Sequence, residues 1–153
     1  MERIEFISRS PSDTIAIGAH IGAYAAPGDL FLLYGELGAG KTQLVKGLAK
    51  GVGVPDWEYV LSPSFALVGV YEGRIGLCHA DLYRLEGPDA DTLGIEDCLE
   101  GGIVAVEWAE RVPGWPDGIK ITLNVVAEHE RTVVMEVEDA GRAQVWRHFR
   151  REP

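Results

Sequence analysis

The sequence predicts an α/β fold, and three observations carry that prediction. The apolar run Leu30-Phe31-Leu32-Leu33-Tyr34 reads as a buried strand. It leads through a glycine-rich turn into a segment where Leu44, Val45, Leu48 and Ala49 share one helical face. A second short apolar run, Ile103-Val104-Ala105-Val106, reads as another buried strand and ends in Glu107. Two β-rich runs, 119–126 and 131–137, are joined by Ala127-Glu128-His129-Glu130 and read as a C-terminal β-hairpin.

Arg3-Ile4-Glu5-Phe6-Ile7 alternates polar and apolar residues and predicts an edge strand. Ser10-Pro11-Ser12-Asp13-Thr14 carries helix-start chemistry, and Ile17, Ile21 and Tyr24 then recur at helical spacing until Pro27-Gly28. The strand over 30–34 follows, and with it Gly35-Glu36-Leu37-Gly38-Ala39-Gly40-Lys41-Thr42. This octapeptide fits G-x-x-x-x-G-K-[ST], the phosphate-binding P-loop. Phosphate oxygens need several N–H donors converging on one small volume. Glycines let the backbone curl into that concavity, and the following helix presents free amides and the positive end of its dipole. Lys41 can place a point charge on the β- and γ-phosphates, and Thr42 can offer its hydroxyl to Mg²⁺.

Beyond the P-loop helix, Ser62-Pro63-Ser64-Phe65 interrupts two apolar pieces, Tyr59-Val60-Leu61 and Phe65-Ala66-Leu67-Val68. It is either a loop able to close over a nucleotide or a serine-capped turn. Residues 74–78 read as a strand running into His79-Ala80-Asp81-Leu82-Tyr83-Arg84. If the strand persists, His79 and Asp81 point to one side, at a strand end where open α/β sheets bind ligands. Asp81 can equally cap the turn that follows. Residues 87–102 read as a helix begun by Pro88, with acids Asp89, Asp91, Glu96, Asp97 and Glu100 on a solvated face. Glu107, closing its apolar strand, occupies the Walker B position and can reach the metal directly or through water, or serve as a plain ion-pairing acid. Most P-loop enzymes carry Asp there. Trp108 next to it is core, or a lid that senses the nucleotide. Arg131, beside the hairpin turn, faces either the nucleotide or solvent.

The chain has 153 residues, 46% hydrophobic and 25% charged, which suits one domain spanning 1–153 with a core of its own. Its net charge of −10, from 14 basic and 24 acidic residues, argues against tight independent binding to a nucleic-acid backbone. The basic residues Arg142, Arg147, His148, Arg150 and Arg151 gather near the C-terminus, as a solvated helix end or a docking surface. No apolar run approaches the ~20 residues of a membrane helix, and the first residues lack a signal-peptide core, so a cytoplasmic location is expected. Cys78 and Cys98 have neither C-x-x-C nor zinc spacing and are expected as two buried thiols.

Several of these motifs, in this order, resemble the TsaE family, also called YjeE. The matching pieces are Gly35 to Thr42, Ser62 to Phe65, His79-Ala80-Asp81-Leu82-Tyr83-Arg84, Leu93-Gly94-Ile95-Glu96 and Val106-Glu107-Trp108. They span roughly residues 10 to 135. The L-G-A-G-K-T form, H-x-D-L-Y-R and V-E-W in succession are specific, whereas a P-loop by itself is not. Ser64 departs from the usual threonine but keeps the hydroxyl.

The resemblance implies a P-loop NTPase fold, a mixed central sheet with helices on both faces. It implies an ATP-hydrolysing subunit of tRNA threonylcarbamoyladenosine (t6A) synthesis at adenosine 37, working with a TsaB–TsaD pair and meeting tRNA through that pair. In that reading ATP and Mg²⁺ are the cofactors. Lys41 and the loop from Gly35 through Glu36, Leu37, Gly38, Ala39 and Gly40 hold the phosphates, with Arg131 as a further ATP contact. Thr42 and Glu107 hold the metal. Asp81 orients the attacking water, and Ser62, Pro63, Ser64 and Phe65, with Trp108, form the switch or partner face. Two other readings stand beside it. A small-molecule kinase would use the same loop but needs an arginine-bearing lid, for which Arg84 and Arg111 are the mid-chain candidates. A nucleotide-dependent scaffold would hold ATP with negligible hydrolysis.

Overall fold

The computed structural model of the chain describes residues 1–60, 68–83 and 94–149. Strand β1 (Glu2–Ser8) leads into helix α1 (Pro11–Ala23), followed by β2 (Leu30–Tyr34) and α2 (Lys41–Gly51). A 3-10 turn, Trp57–Tyr59, precedes β3 (Val68–Glu72), β4 (Gly76–Asp81) and α3 (Ile95–Gly101). Then come β5 (Gly102–Glu107), a 3-10 turn at Ala109–Arg111, β6 (Ile119–Ala127), β7 (Glu130–Val137) and α4 (Ala140–Arg147). Of the helix expected from Pro88, only its C-terminal part lies among the described residues. Ser62, Pro63, Ser64, Phe65 and Arg84 lie outside them.

The seven strands form one sheet in the order β1-β7-β6-β2-β5-β4-β3. Its centre is parallel, with β2 between β5 and β6 and β4 beside β5. The flanks are antiparallel: β6–β7 is the expected hairpin, β1 adds to β7 as the expected edge, and β3 folds back on β4. The mixed sheet is covered on both faces. Phe31, Leu33, Leu77, Ile103, Ile121 and Leu123 pack with Ile17, Ile21, Leu44 and Leu48 of α1 and α2. Leu32, Cys78, Ala80 and Val104 pack on the other face with Ile95 of α3, Ala109 and Val112. β2 and β5 are therefore buried at nearly every position, which is why their sequences run apolar without alternation.

Helix α1 is started as its sequence proposes. Ser10 Oγ accepts from the Asp13 amide at 3.0 Å, and Asp13 reaches back to the Arg9 amide at 2.9 Å. It ends at Ala23, earlier than Pro27-Gly28 suggests, where Tyr24 leaves helical geometry as the C-cap; Arg74 donates to the last carbonyls, Gly22 O and Ala23 O. α1 and α2 touch backbone to backbone. A Cβ at Gly18 would meet Leu44 O, and one at Gly47 would meet Ile15 O; Gly22 and Gly51 face similar contacts one turn on. These four glycines let α1 seat α2, and so the loop before it, firmly on the sheet.

The basic C-terminal segment is a helix tied inward. Arg142 makes a two-pronged ion pair with the buried Asp29, 2.7 and 2.6 Å, and Arg147 donates to Glu2 at 2.8 Å. Trp146 is fully buried and donates to Ile21 O at 3.1 Å, anchoring α4 across α1. One expectation is corrected. Cys78 and Cys98 are joined as a disulfide rather than lying as separate thiols, because β4 turns Cys78 onto the face that α3 covers.

Candidate functional site

The site lies at the C-terminal ends of the central parallel strands, where open α/β sheets leave a crevice. β2 ends at Tyr34, and the chain turns immediately into the glycine loop. Gly35, Gly38 and Gly40 all have positive φ (155°, 82° and 102°). At Gly35 the constraint is also steric, since a Cβ would stand 2.8 Å from Leu123 O on β6. Gly40 is the N-cap of α2 in the left-handed conformation, and among the described residues no side chain caps the helix there. The first amides of α2 thus remain directed at the loop's concavity.

Lys41 is buried at 5% exposure. Its ammonium donates to Gly35 O and, at 3.4 Å, to Glu36 O, and it sits 3.5 Å from the centre of the Trp108 ring. Burial lowers its pKa from the ordinary lysine value, against the opposing pull of Glu107, Glu110 and Asp81. Thr42 Oγ1 donates to the Glu107 carboxylate, 3.0 and 3.2 Å from its two oxygens. Glu107 is 2% exposed and closes β5 beside the end of β2, with Leu33 and Glu107 in register. Thr42 and Glu107, brought together from α2 and β5, are oxygen ligands suited to Mg²⁺. That ion favours a few protein oxygens combined with phosphate and water. The donor set therefore fits the metal that the sequence implies.

On the next strand Asp81 is in register with Glu107. Asp81 Oδ1 accepts from the Tyr83 amide at 3.0 Å, so it does cap the following turn, while its side chain also borders the P-loop cavity. That cavity, about 330 Å³, is enclosed by Leu37 to Gln43, Asp81, Tyr83, Glu107 and Trp108. Trp108 is the non-glycine residue with positive φ (59°) among those described, and its ring lies 5.0 Å from that of Tyr83. Such a backbone state costs about 1–3 kcal/mol and clusters at functional sites.

On the other side of the loop a smaller cavity, about 150 Å³, is bounded by Ser10, Thr14, Gly38 to Gly40, Gln43, Glu128, His129 and Arg131. Arg131 therefore borders the loop, though its guanidinium is spent on Ala127 O, Glu128 O and Glu130 O of the hairpin turn. A wider cleft along β1 and Arg147 contains none of the site residues. The alternation of His79 with Asp81 put His79 at this strand end but did not name its partner: it is fully buried, with Nε2 2.5 Å from Glu107 Oε2.

A left-handed glycine loop after a central parallel strand, with a hydroxyl and a carboxylate converging beside its lysine, is the arrangement of the P-loop ATPases. Within that class, residues 8–133 match the family model described as threonylcarbamoyl adenosine biosynthesis protein TsaE, and the chain belongs to that family. It is 40% identical over 133 residues to the tRNA threonylcarbamoyladenosine biosynthesis protein TsaE of Treponema pallidum, covering 84% of this chain and 97% of that one. It is 35% identical over 139 residues to the protein of that name from Bacillus subtilis, covering 87% and 85%. Its fold is similar to the crystal structure of Bacillus subtilis YdiB, with a TM-score of 0.71 at 27% identity, covering 94% of this chain and 91% of that one. No helix among the described residues is long and apolar enough to cross a membrane.

Proposed function

We propose that this chain is a Mg²⁺-dependent ATPase of tRNA t6A synthesis, acting in the cytoplasm with a TsaB–TsaD pair and reaching tRNA through that pair. The observation that carries the reading is the contact of Thr42 with Glu107 beside Lys41, inside a glycine cradle, in a chain of the TsaE family.

In this reading the loop amides from Gly35 to Gly40 and the N-terminus of α2 bind the phosphates, and Lys41 leaves the Trp108 ring to meet them. Thr42 and Glu107 hold Mg²⁺, which neutralises charge developing on the phosphoryl oxygens. Asp81, one strand over, orients the attacking water. Trp108 and Tyr83 exclude solvent from the reacting end. The smaller cavity beside Arg131 takes the nucleoside. Ser62 to Phe65 are the switch segment that reports the nucleotide to the partner.

Hydrolysis by the isolated chain should be slow. Neither the P-loop nor the segment 103–108 carries an arginine, and Arg111, 5.6 Å from the centres of the Tyr83 and Trp108 rings, does not line the P-loop cavity; an arginine finger is worth about 10³-fold or more in rate. Phosphate release measured with and without Mg²⁺, and with and without TsaB–TsaD, tests the proposal. Metal-dependent release that rises with the pair is expected. Stable ATP binding without release under every condition would favour a scaffold, and transfer to a small acceptor would favour a kinase.

A further inference from the structure

From its place beside Glu107, we infer that His79 is a positioning residue: its imidazole fixes the Glu107 carboxylate in the orientation that, with Thr42, receives the divalent cation. The inference rests on the proposed metal role of Glu107 and deepens it.

The geometry comes from strand register. β4 and β5 run parallel, with His79 opposite Ala105 and Asp81 opposite Glu107. His79 therefore stands one step below Glu107 on the neighbouring strand and on the same face of the sheet. Its Nε2 lies 2.5 Å from Glu107 Oε2, and both side chains are almost wholly buried. Facing an ionised carboxylate, which can only accept, the ring presents Nε2–H as the donor. Thr42 approaches Glu107 from α2, so the carboxylate is held from two directions.

The rest of the ring has no such employment. Nδ1 is buried with no hydrogen-bond partner among the described residues. Leu77 on the same strand and Ile103 and Ala105 on the next one line this face with apolar groups. An apolar side chain would suit that surrounding better than an imidazole with an orphaned nitrogen. What the imidazole adds is the hydrogen bond to Glu107. Partners behind a metal ligand commonly set its affinity by 10–100-fold.

The test is Mg²⁺ titration of a fluorescent ADP analogue bound to the full chain, reading the Mg²⁺ concentration that gives half of the metal-dependent tightening. His79→Leu fills the space without a donor. His79→Asn holds its amide too close to the backbone to reach Glu107. His79→Gln extends an N–H donor to about the Nε2 position. We expect metal-free affinity to remain at the wild-type level in all three. The half-effect concentration should rise about tenfold or more in His79→Leu and His79→Asn, with His79→Gln recovering most of it. If His79→Leu does not fold, the contrast of His79→Asn with His79→Gln decides. A wild-type value in a folded His79→Leu or His79→Asn, or an equal defect in His79→Gln, overturns the inference. Glu107→Gln in parallel separates the two levels. If it keeps the metal effect, the metal reading of Glu107 fails; if it loses the effect while His79→Leu keeps it, only the role of His79 fails.

Discussion

The ammonium of Lys41 rests 3.5 Å above the centre of the Trp108 ring while it donates to Gly35 O. The P-loop cation is thus held by protein groups that a phosphate must replace. A cation on an aromatic face is worth about 0.5–2 kcal/mol, less than a charge-assisted hydrogen bond network to phosphate offers in a desolvated loop. Binding should therefore draw Lys41 away from the indole. Tryptophan fluorescence should change on adding ATP to the wild-type chain and should respond far less in Trp108→Phe. An undiminished response in Trp108→Phe would place the reporter elsewhere, at Trp57, Trp115 or Trp146.

Asp81 and Glu107 occupy equivalent ends of adjacent strands, and their surroundings assign them different work. Glu107 is enclosed and held by Thr42 and His79, whereas Asp81 is half-buried and holds the turn at Tyr83. Glu107→Ala should lose the Mg²⁺-dependent tightening of ATP binding. Asp81→Ala should bind Mg-ATP near normally and hydrolyse it at least about tenfold more slowly, a barrier change of roughly 1.4 kcal/mol. Equilibrium binding with and without Mg²⁺, together with partner-stimulated turnover, checks both. The opposite pattern would exchange the two roles.

The glycine contact between α1 and α2 makes a prediction about stability. Gly47→Val would press a branched side chain against the Ile15 carbonyl and the Gly18 backbone, which cannot yield as a side-chain tip can. A loss of about 1–3 kcal/mol or more is expected, read as a lowered melting temperature. Gly38→Ala is the contrast. Among the described residues, chain neighbours aside, no atom lies within 4 Å of a Cβ there, so the cost comes from its positive φ. Equal melting of Gly47→Val and the wild type would mean that the helices separate without loss.

Local patterns were legible and non-local ones were not. Gly35 to Thr42 announces itself because the left-handed turns and the helix start are encoded within eight consecutive residues. The apolar runs 30–34 and 103–106 showed which strands are buried on both sides, and Ser10 marked its helix start. The contact of His79 with Glu107 depends on the register of two strands separated by 28 positions, which no window of sequence states. The same holds for Cys78 with Cys98, for Lys41 on Trp108 and for Arg142 on Asp29. Gly18 with Gly22 and Gly47 with Gly51 share an i, i+4 spacing that could have been read as a close helix contact. Hydrophobic periodicity does not mark it, because a face of small residues carries no hydrophobic signal.

The central claim of the proposed function is that ATP held by the P-loop of this chain serves t6A formation by a TsaB–TsaD pair. The most direct measurement counts the t6A formed on tRNA by a TsaB–TsaD pair, supplied with threonylcarbamoyl donor and Mg-ATP, in the presence of the wild-type chain or Lys41→Ala. Lys41→Ala removes the phosphate-facing charge of a buried residue at the start of α2 that belongs to neither hydrophobic cluster. Sustained t6A formation with the wild type and a fall of at least about tenfold with Lys41→Ala is the expected result. Equal t6A formation with both, or with neither chain present, would contradict it.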